Sequence, residues 1–499
     1  MPATIKLYDQ YKQTLQKIAD VKYASAVLQW DQETYLPPKG GDMRGRQIAT
    51  LSELAHEQFT NENIGSLLNE LIKNDSLSSL EKRNVELSLH DFNKSKKLPS
   101  SFVRQMSETV NKSFHAWIQA RKENNFSTFE KPLQQIIDLK KHEADLLGYE
   151  QHPYDALMDE FDKGLTVKKV DELFAALRPQ LSALLDTIKN KPQVDNTFLH
   201  QRFDKDQQWD VGIEILKRMH FDFEAGRQDI SEHPFTTNFN SNDVRVTTSV
   251  SENDFANMLW SCIHEGGHAL YEQGLPNGEY GLPLGEYGSL SIHESQSRLW
   301  ENCVGRSLPF WQHNYSLLQK YFPQQFKNIS VRQFYNGINK VQPSLIRTEA
   351  DELTYHFHVM IRYEIEKLLI EGTINAKDIP AYWNEHYKKY LGITVPNDRE
   401  GCLQDVHWSH GSFGYFATYS IGSLYAAQLY AAIAAKNPSL QLDISNGDTK
   451  AIWHWLQQHI YQYGRYYSSE ELCKRATGEQ LNAEYFINYA TTKYTGIYG

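Results

Sequence analysis

Hydrophobic positions recur with the helical period over most of the chain. Across residues 171–189, Leu173, Phe174, Leu177, Leu181, Leu184, Leu185 and Ile188 fall on one face. Pro179 sits inside that stretch. A kink or split is expected there, because proline removes a donor and crowds the preceding turn. Residues 345–370 repeat the pattern through Leu345, Ile346, Leu353, Phe357, Met360, Ile361, Ile365 and Leu368. Similar stretches fill much of the first 220 residues and the region after Phe413. The alanine-rich run 423–435, interrupted by Gln428, reads as a buried helix. It falls short of the roughly 18 apolar residues of a membrane span. Strand signal is confined to residues 236–250, where Val244, Val246 and Thr248 alternate with other residues. Two or three strands are expected there. Residues 36–41 (LPPKGG) should end the first helix, and residues 274–288 form a Gly/Pro/Tyr loop.

No internal repeat and no Pro/Ser linker interrupts this pattern. The expectation is a mainly α protein built as one large multi-helix unit over residues 1–499, with a small β-sheet. An N-terminal helical part would cover roughly 1–220 and a catalytic part roughly 221–499. Forty per cent of the 499 residues are hydrophobic and 12% aromatic, ample for a large core, which excludes general disorder. The formal charge of −11 excludes a general nucleic-acid binder and argues against binding to anionic membranes. The four cysteines (Cys262, Cys303, Cys402, Cys473) lack CxxC spacing, so neither a disulfide scaffold nor a cysteine zinc module is expected. The N-terminus has no apolar core of a signal peptide. A soluble, reduced, cytoplasmic protein is the expectation.

The sharpest chemical signal is His264-Glu265-Gly266-Gly267-His268, an HExxH motif inside a helical pattern that starts near Glu252. Positions four apart share a helix face, so His264 and His268 can present two imidazoles to one metal ion. Glu265 lies one step round the helix, placed to take a proton from a metal-activated water. Gly266 and Gly267 each disfavour a helix interior by about 1 kcal/mol. They make sense if a strand or substrate approaches the helix closely. A catalytic site needs a third ligand and an open position. The segment 289–302 (SLSIHESQSRLWEN) reads as a second helix offering His293, Glu294 and Glu301. Glu294 is preferred on chemical grounds and His293 comes second. Glu301 reads as a solvated or supporting carboxylate.

Further motifs extend the picture. They are His233-Pro234-Phe235, Asp243-Val244-Arg245-Val246-Thr247 (DxRxT), and His293-Glu294-Ser295-Gln296 (HESQ). Next come Ile346-Arg347-Thr348-Glu349-Ala350-Asp351 (IRxxAD) and Gly401 to Trp408 (GxxQDxHW). With HExxH, and in this order, they make the chain resemble the carboxypeptidase Taq family of zinc metallocarboxypeptidases over essentially its whole length. Trp30-Asp31 and Thr34 fit the same resemblance. It implies a mostly helical, neurolysin-like fold with a deep substrate cleft, the small sheet lying beside the metal site. It also implies a homodimer, and a metal site of His264, His268 and Glu294 with Glu265 as base. Zinc is the usual metal, and cobalt can substitute. One departure is Ala417, where the family pattern has Pro; it could loosen the local loop but removes no chemistry.

A peptide-cleaving metal site also needs donors for the developing oxyanion. Residues 407–419 (HWSHGSFGYFATY) carry imidazole and phenol groups. The spacing of His407 and Tyr419 resembles a pair in neurolysin-like peptidases. Tyr419 is therefore assigned to the oxyanion and His407 to substrate or transition-state hydrogen bonding. Tyr415 is the rival for the first role and a candidate substrate contact. A carboxypeptidase must recognise a free α-carboxylate, which a guanidinium fork matches. Arg347 is the first candidate and Arg245 the second. The alternative for each is an internal ion pair, Arg347 with Glu349 or Asp351 and Arg245 with Asp243. Asp243, Asp351 and Asp405 are expected to orient ligands or arginines. The DxRxT strand is expected to hold extended substrate by backbone pairing. His233 is expected near the cleft without an assigned role. His356 and His358 read as core or surface residues, and Cys262 as a small buried thiol.

The leading expectation is a metal-dependent carboxypeptidase that releases single C-terminal residues with broad specificity from peptides with a free C-terminus. A zinc oligopeptidase or endopeptidase would share the chemistry and lack the carboxylate clamp. A non-catalytic peptide-binding scaffold would have no need of Glu265. Neither nucleic acid nor membrane is expected as a partner.

Overall fold

The computed structural model describes residues 3–499. The chain divides into two compact units, each assembled from three stretches of sequence. The first comprises Met1–Lys96, Asp195–Ile338 and Gln428–Gln480. The second comprises Lys97–Val194, Asn339–Ala427 and Leu481–Gly499. Both are mainly helical, as the periodicity predicts, and among the described residues no helix is long and apolar enough to cross a membrane.

In the first unit the N-terminal helix, Ala3–Thr34, buries Tyr8, Tyr11, Leu15 and Ile18. These positions recur every three or four residues and so share a face. They pack with Ile64, Leu68, Leu71, Val85 and Phe92. Pro37 and Pro38 cannot continue the helix. The Tyr35 and Leu36 N–H groups both close on the Asp31 carbonyl at 2.9 Å, and a new helix begins at Gly41–Phe59.

The sheet has three strands in the order β1-β3-β2, with β1 Gly226–Ile230, β2 Thr236–Asn240 and β3 Asp243–Thr248. β1 runs parallel to β3 and β2 antiparallel to it, with a register shift between Asn238 and Asn240. The DxRxT strand is therefore central, and both of its edges are already paired. It cannot take up substrate by strand addition, contrary to the expectation; the edges belong to β1 and β2. Val244, Val246 and Thr248 form the buried face of β3. The Thr248 hydroxyl meets the Ser261 hydroxyl at 2.6 Å, which ties the sheet to the HExxH helix.

That helix, Phe255–Gln273, starts slightly later than its sequence pattern suggests, because the Asp254 side chain caps it by accepting from the Asn257 N–H. Phe255 anchors the start, with its ring 5.0 Å from Phe203 and 5.3 Å from Phe322. Residues 274–288 form the expected loop, tightened by two short 3₁₀ turns. The second helix, Leu290–Arg298, is capped by Ser289 and widens into a π-helical stretch, Leu299–Gly305.

In the second unit, helix Val167–Lys189 continues through Pro179, so the expected split does not occur. The pattern beginning at Leu345 overstates the next helix. Arg347–Glu349 is a 3₁₀ turn and the α-helix runs only over Tyr355–Glu371. Asp351 marks the boundary, accepting from the Leu353 and Thr354 N–H groups at 2.9 and 3.0 Å. His356 and His358 are fully buried on this helix. The alanine-rich run lies in helix Phe416–Lys436, whose residues up to Ala427 belong to the second unit and from Gln428 to the first, and it is largely buried. Ala417 occupies the first turn of that helix, where proline is also tolerated.

Candidate active site

The HExxH helix and the helix that follows its loop bring three ligand atoms together. His264 and His268 meet edge to face one turn apart, with ring centroids at 4.9 Å. Glu294 Oε2 lies 3.6 Å from His264 Nε2 and 3.4 Å from His268 Nε2. Ligand atoms of the three residues all fall within 4.8 Å of one another. Two imidazole nitrogens and one carboxylate oxygen suit a divalent cation and leave a coordination position for a reacting group.

Close approach of the two helices makes this possible. A Cβ at Gly267 would lie 2.7 Å from both the Gln296 carbonyl oxygen and Ser297 Cα. One at Gly266 would meet Leu216 Cδ2 at 2.6 Å. The glycines thus admit neighbouring helices, where the sequence suggested a strand or substrate. Gly267 in particular lets the backbone beside Glu294 sit against the motif.

Surrounding groups fix the ligands. Glu301 Oε2 is 2.9 Å from His264 Nδ1, so that nitrogen carries the proton and Nε2 keeps its lone pair for a metal. Arg298 Nε donates to Glu294 Oε1 at 2.7 Å and occupies the oxygen that faces away from His268. Arg306 donates to Glu301 Oε1 at 3.0 Å. His293, the second choice as ligand, is directed elsewhere. Its Nε2 pairs with Glu272 Oε1 at 2.7 Å, and its ring stacks on His268 at 4.4 Å. Glu272 in turn accepts from the Asn238 amide. The sequence reading did not single out Thr236, Glu272 or Arg298. For Arg298 the position four residues after Glu294 was a usable signal; for the other two no local signal exists.

Electrostatics follow from burial and these partners. Burial pushes the Glu294 carboxyl up, but Arg298 and the two imidazoles outweigh it and hold the group well below the usual carboxylate range. Burial and the neighbouring His293 bring His268 down to about 3, so it is neutral and able to ligate. Burial lowers His264 too, yet Glu294 and Glu301 outweigh it and the net shift is upward. Glu265 is buried, which raises its carboxyl despite His264 and the hydrogen bond from Thr236 at 2.6 Å. A carboxylate with a raised pKa is a stronger base. Cys262 is buried with its thiol pushed up to about 12, an inert packing group.

Arg245, on β3, is bound to Asp243 through Nε and Nη2, both at 2.9 Å, and lies 4.3 Å over the Trp30 ring. This is the internal pair foreseen as its alternative.

In the second unit the remaining sequence candidates gather around Asp405. Arg347 is buried and donates to Asp405 Oδ1 from Nε at 3.0 Å and Nη2 at 2.8 Å, and to the Tyr355 hydroxyl at 3.2 Å. Its partner is therefore Asp405, and neither Glu349 nor Asp351. Arg362 takes the other Asp405 oxygen at 2.6 Å. Between two guanidiniums, Asp405 is held far below the usual carboxylate range despite its burial. Asp351 caps a helix and orients no arginine through the contacts described above, contrary to expectation. His407 Nε2 lies 3.2 Å from the Tyr419 hydroxyl, and burial with the adjacent arginines brings its pKa to about 3, a neutral imidazole. Tyr415 stands beside this pair, its ring 5.0 Å from Tyr419 and 5.4 Å from His407. The turn carrying these groups is held by buried Glu366. That carboxylate accepts from Trp408 Nε1 at 2.7 Å, from the Gly414 N–H at 2.8 Å and from the Tyr154 hydroxyl.

Comparison with known proteins shows the family. Residues 10–494 match the carboxypeptidase Taq (M32) metallopeptidase family. The chain is 38% identical over 488 residues to Carboxypeptidase 1 of Bacillus subtilis, covering 97% of each protein. It is 37% identical over 481 residues to Thermostable carboxypeptidase 1 of Pyrococcus furiosus, covering 96% of each. The crystal structure of the M32 carboxypeptidase from Deinococcus radiodurans superposes with a TM-score of 0.97 at 38% identity, covering 99% of this chain and 100% of the other. The chain belongs to the carboxypeptidase Taq (M32) family and is a metal-dependent carboxypeptidase.

Proposed function

We propose that the protein removes single residues from the free C-termini of peptides, with broad specificity, using zinc held by His264, His268 and Glu294. The observation that carries this reading is the convergence of two imidazole Nε2 atoms and one carboxylate oxygen beside the buried Glu265. The donor set fits zinc, and cobalt has the same ligand preferences in such a site. When bound, the metal supplies an acidified water and polarises the scissile carbonyl. Glu265 takes the proton from the attacking water and delivers it to the leaving amine. Thr236 fixes the carboxylate for that transfer through its hydroxyl. Glu301 and Arg298 hold His264 and Glu294 in register. Tyr419 donates to the developing oxyanion, and neutral His407 hydrogen-bonds to substrate. Tyr415 lines the same approach. Arg347 receives the terminal carboxylate; Arg245, whose charge is answered by Asp243, takes no part in that contact.

Residues 1–499 act as one metallocarboxypeptidase domain, and by family resemblance the protein works as a homodimer in the cytoplasm. Four buried cysteines outside any disulfide fit a reduced compartment. The test uses one blocked peptide with a free or an amidated C-terminus, incubated with protein stripped by chelator and reloaded with zinc or cobalt. Stepwise loss of single residues from the free form alone, restored by metal, is expected. Equal cleavage of the amidated form would move the activity to an endopeptidase and remove the role of Arg347.

A further inference from the structure

The first unit contains a cavity of about 500 Å³ that the catalytic groups above do not fill. Its walls come from the N-terminal helix (Trp30, Glu33), from the second helix (Gly45, Ile48), and from Phe235 and the first residue of β2, Thr236. The volume is that of a small-ligand site. Thr236 is the link to chemistry. It lines the cavity and also donates to the Glu265 carboxylate at 2.6 Å. One side chain therefore separates the cavity from the general base.

Resting on the carboxypeptidase reading above, we infer that this cavity receives a large apolar side chain of the peptide on the N-terminal side of the cleaved bond. Polarity decides which side. Trp30, Ile48 and Phe235 supply apolar surface beside the uncharged Gln29, Gln32 and Thr237, and among the described residues the only charged one lining the cavity is Glu33. A terminal α-carboxylate would meet repulsion there and no cation. The arginines nearest the Trp30 ring, Arg245 and Arg227, are each paired bidentately with an aspartate, Asp243 and Asp229. A C-terminal residue is therefore excluded by charge. An upstream residue carries no such charge, and its apolar side chain gains by leaving water.

Gly45 makes the inference testable. Gly45 lines the cavity and a Cβ there meets nothing within 4 Å, so a larger side chain is accommodated without displacing the protein. Gly45 also lies within a helix, where a side chain raises stability. Blocked peptides with one constant C-terminal residue and Ala, Leu or Phe upstream are compared by kcat/KM. For Gly45→Leu the Phe-to-Ala ratio should fall about tenfold, the scale of a filled apolar subsite, and Ile48→Ala should move the ratio upward. Thermal melting confirms that both variants fold. Ratios within about twofold of wild type for both variants would overturn the inference while leaving the carboxypeptidase reading intact. So would a shift that appears only when the C-terminal residue is varied. Wild-type protein inert toward every free-C-terminal peptide would instead defeat the underlying reading, and the inference with it.

Discussion

Replacing Gly267 by alanine should damage the metal site through one methyl group. The added Cβ would lie 2.7 Å from the Gln296 carbonyl oxygen and from Ser297 Cα. Carbon contacts are comfortable at about 3.5–4.0 Å, so the Leu290–Arg298 helix must retreat by close to 1 Å. Both obstructing atoms are backbone, and no side-chain rotation relieves them. Helix propensity gains about 1 kcal/mol from the change, and overpacking loses about 1–3 kcal/mol, so net stability falls by at most about 2 kcal/mol. The functional effect is larger in proportion. Glu294 travels with the helix, whereas metal–ligand distances tolerate only about 0.2 Å. Zinc affinity should fall about 10–100-fold, the range seen when ligand support is lost. Gly266→Ala is the control. Its Cβ meets the ends of the Leu216 and Met219 side chains, which can rotate away. Competition titration with a fluorescent chelator measures both affinities. Equal zinc affinity in Gly267→Ala and wild type, or a greater loss in Gly266→Ala, would refute the claim that helix contact at Gly267 places Glu294.

Tyr419→Phe should lower kcat by about 10²–10³ with little change in KM, and Tyr415→Phe should do far less; steady-state kinetics retaining over half of kcat in Tyr419→Phe would remove its oxyanion role. Burial raises the Glu366 carboxyl to about 7 from its ordinary 4.5. The folded state therefore binds the extra proton between these values. This contribution to stability is complete below about pH 4.5 and is lost as pH rises through 7, on the order of 3 kcal/mol in all. Denaturant midpoints from pH 5 to 8 should show that slope, and Glu366→Gln should flatten it. Lys493, on the C-terminal helix Glu484–Tyr498, pairs with Glu352 at 2.8 Å with both side chains buried. Lys493→Ala leaves that carboxylate without its cation and should destabilise the protein by about 3–5 kcal/mol, read from the same denaturant curves.

Helices, the HExxH motif and its downstream glutamate were legible because they follow short-range rules: period 3.6, ligands four apart, a carboxylate after a loop. What escaped the sequence depends on distant partners. β1, Gly-Arg-Gln-Asp-Ile, has little strand propensity, and it forms because Gly226 admits the Val244 carbonyl, which a Cβ would meet at 2.3 Å. The DxRxT strand lies at the centre of the sheet because of that unforeseen neighbour. Arg347 found Asp405 and passed over the acidic residues next to it in sequence, because folding brings the GxxQDxHW segment against IRxxAD. Thr236 is an ordinary strand residue whose hydroxyl acquires meaning only beside Glu265. The glycine pair was noticed for the right physical reason, close approach, while the approaching element turned out to be a helix.

Anomalous diffraction at the zinc edge from crystals of the zinc-loaded protein tests the central claim most directly. The account predicts one strong site per chain, about 2.0–2.2 Å from His264 Nε2, His268 Nε2 and a Glu294 oxygen, with Glu265 uncoordinated beside it. Zinc held by His293 or Glu272, coordination through the Nδ1 atoms, or no site between the two helices would contradict it.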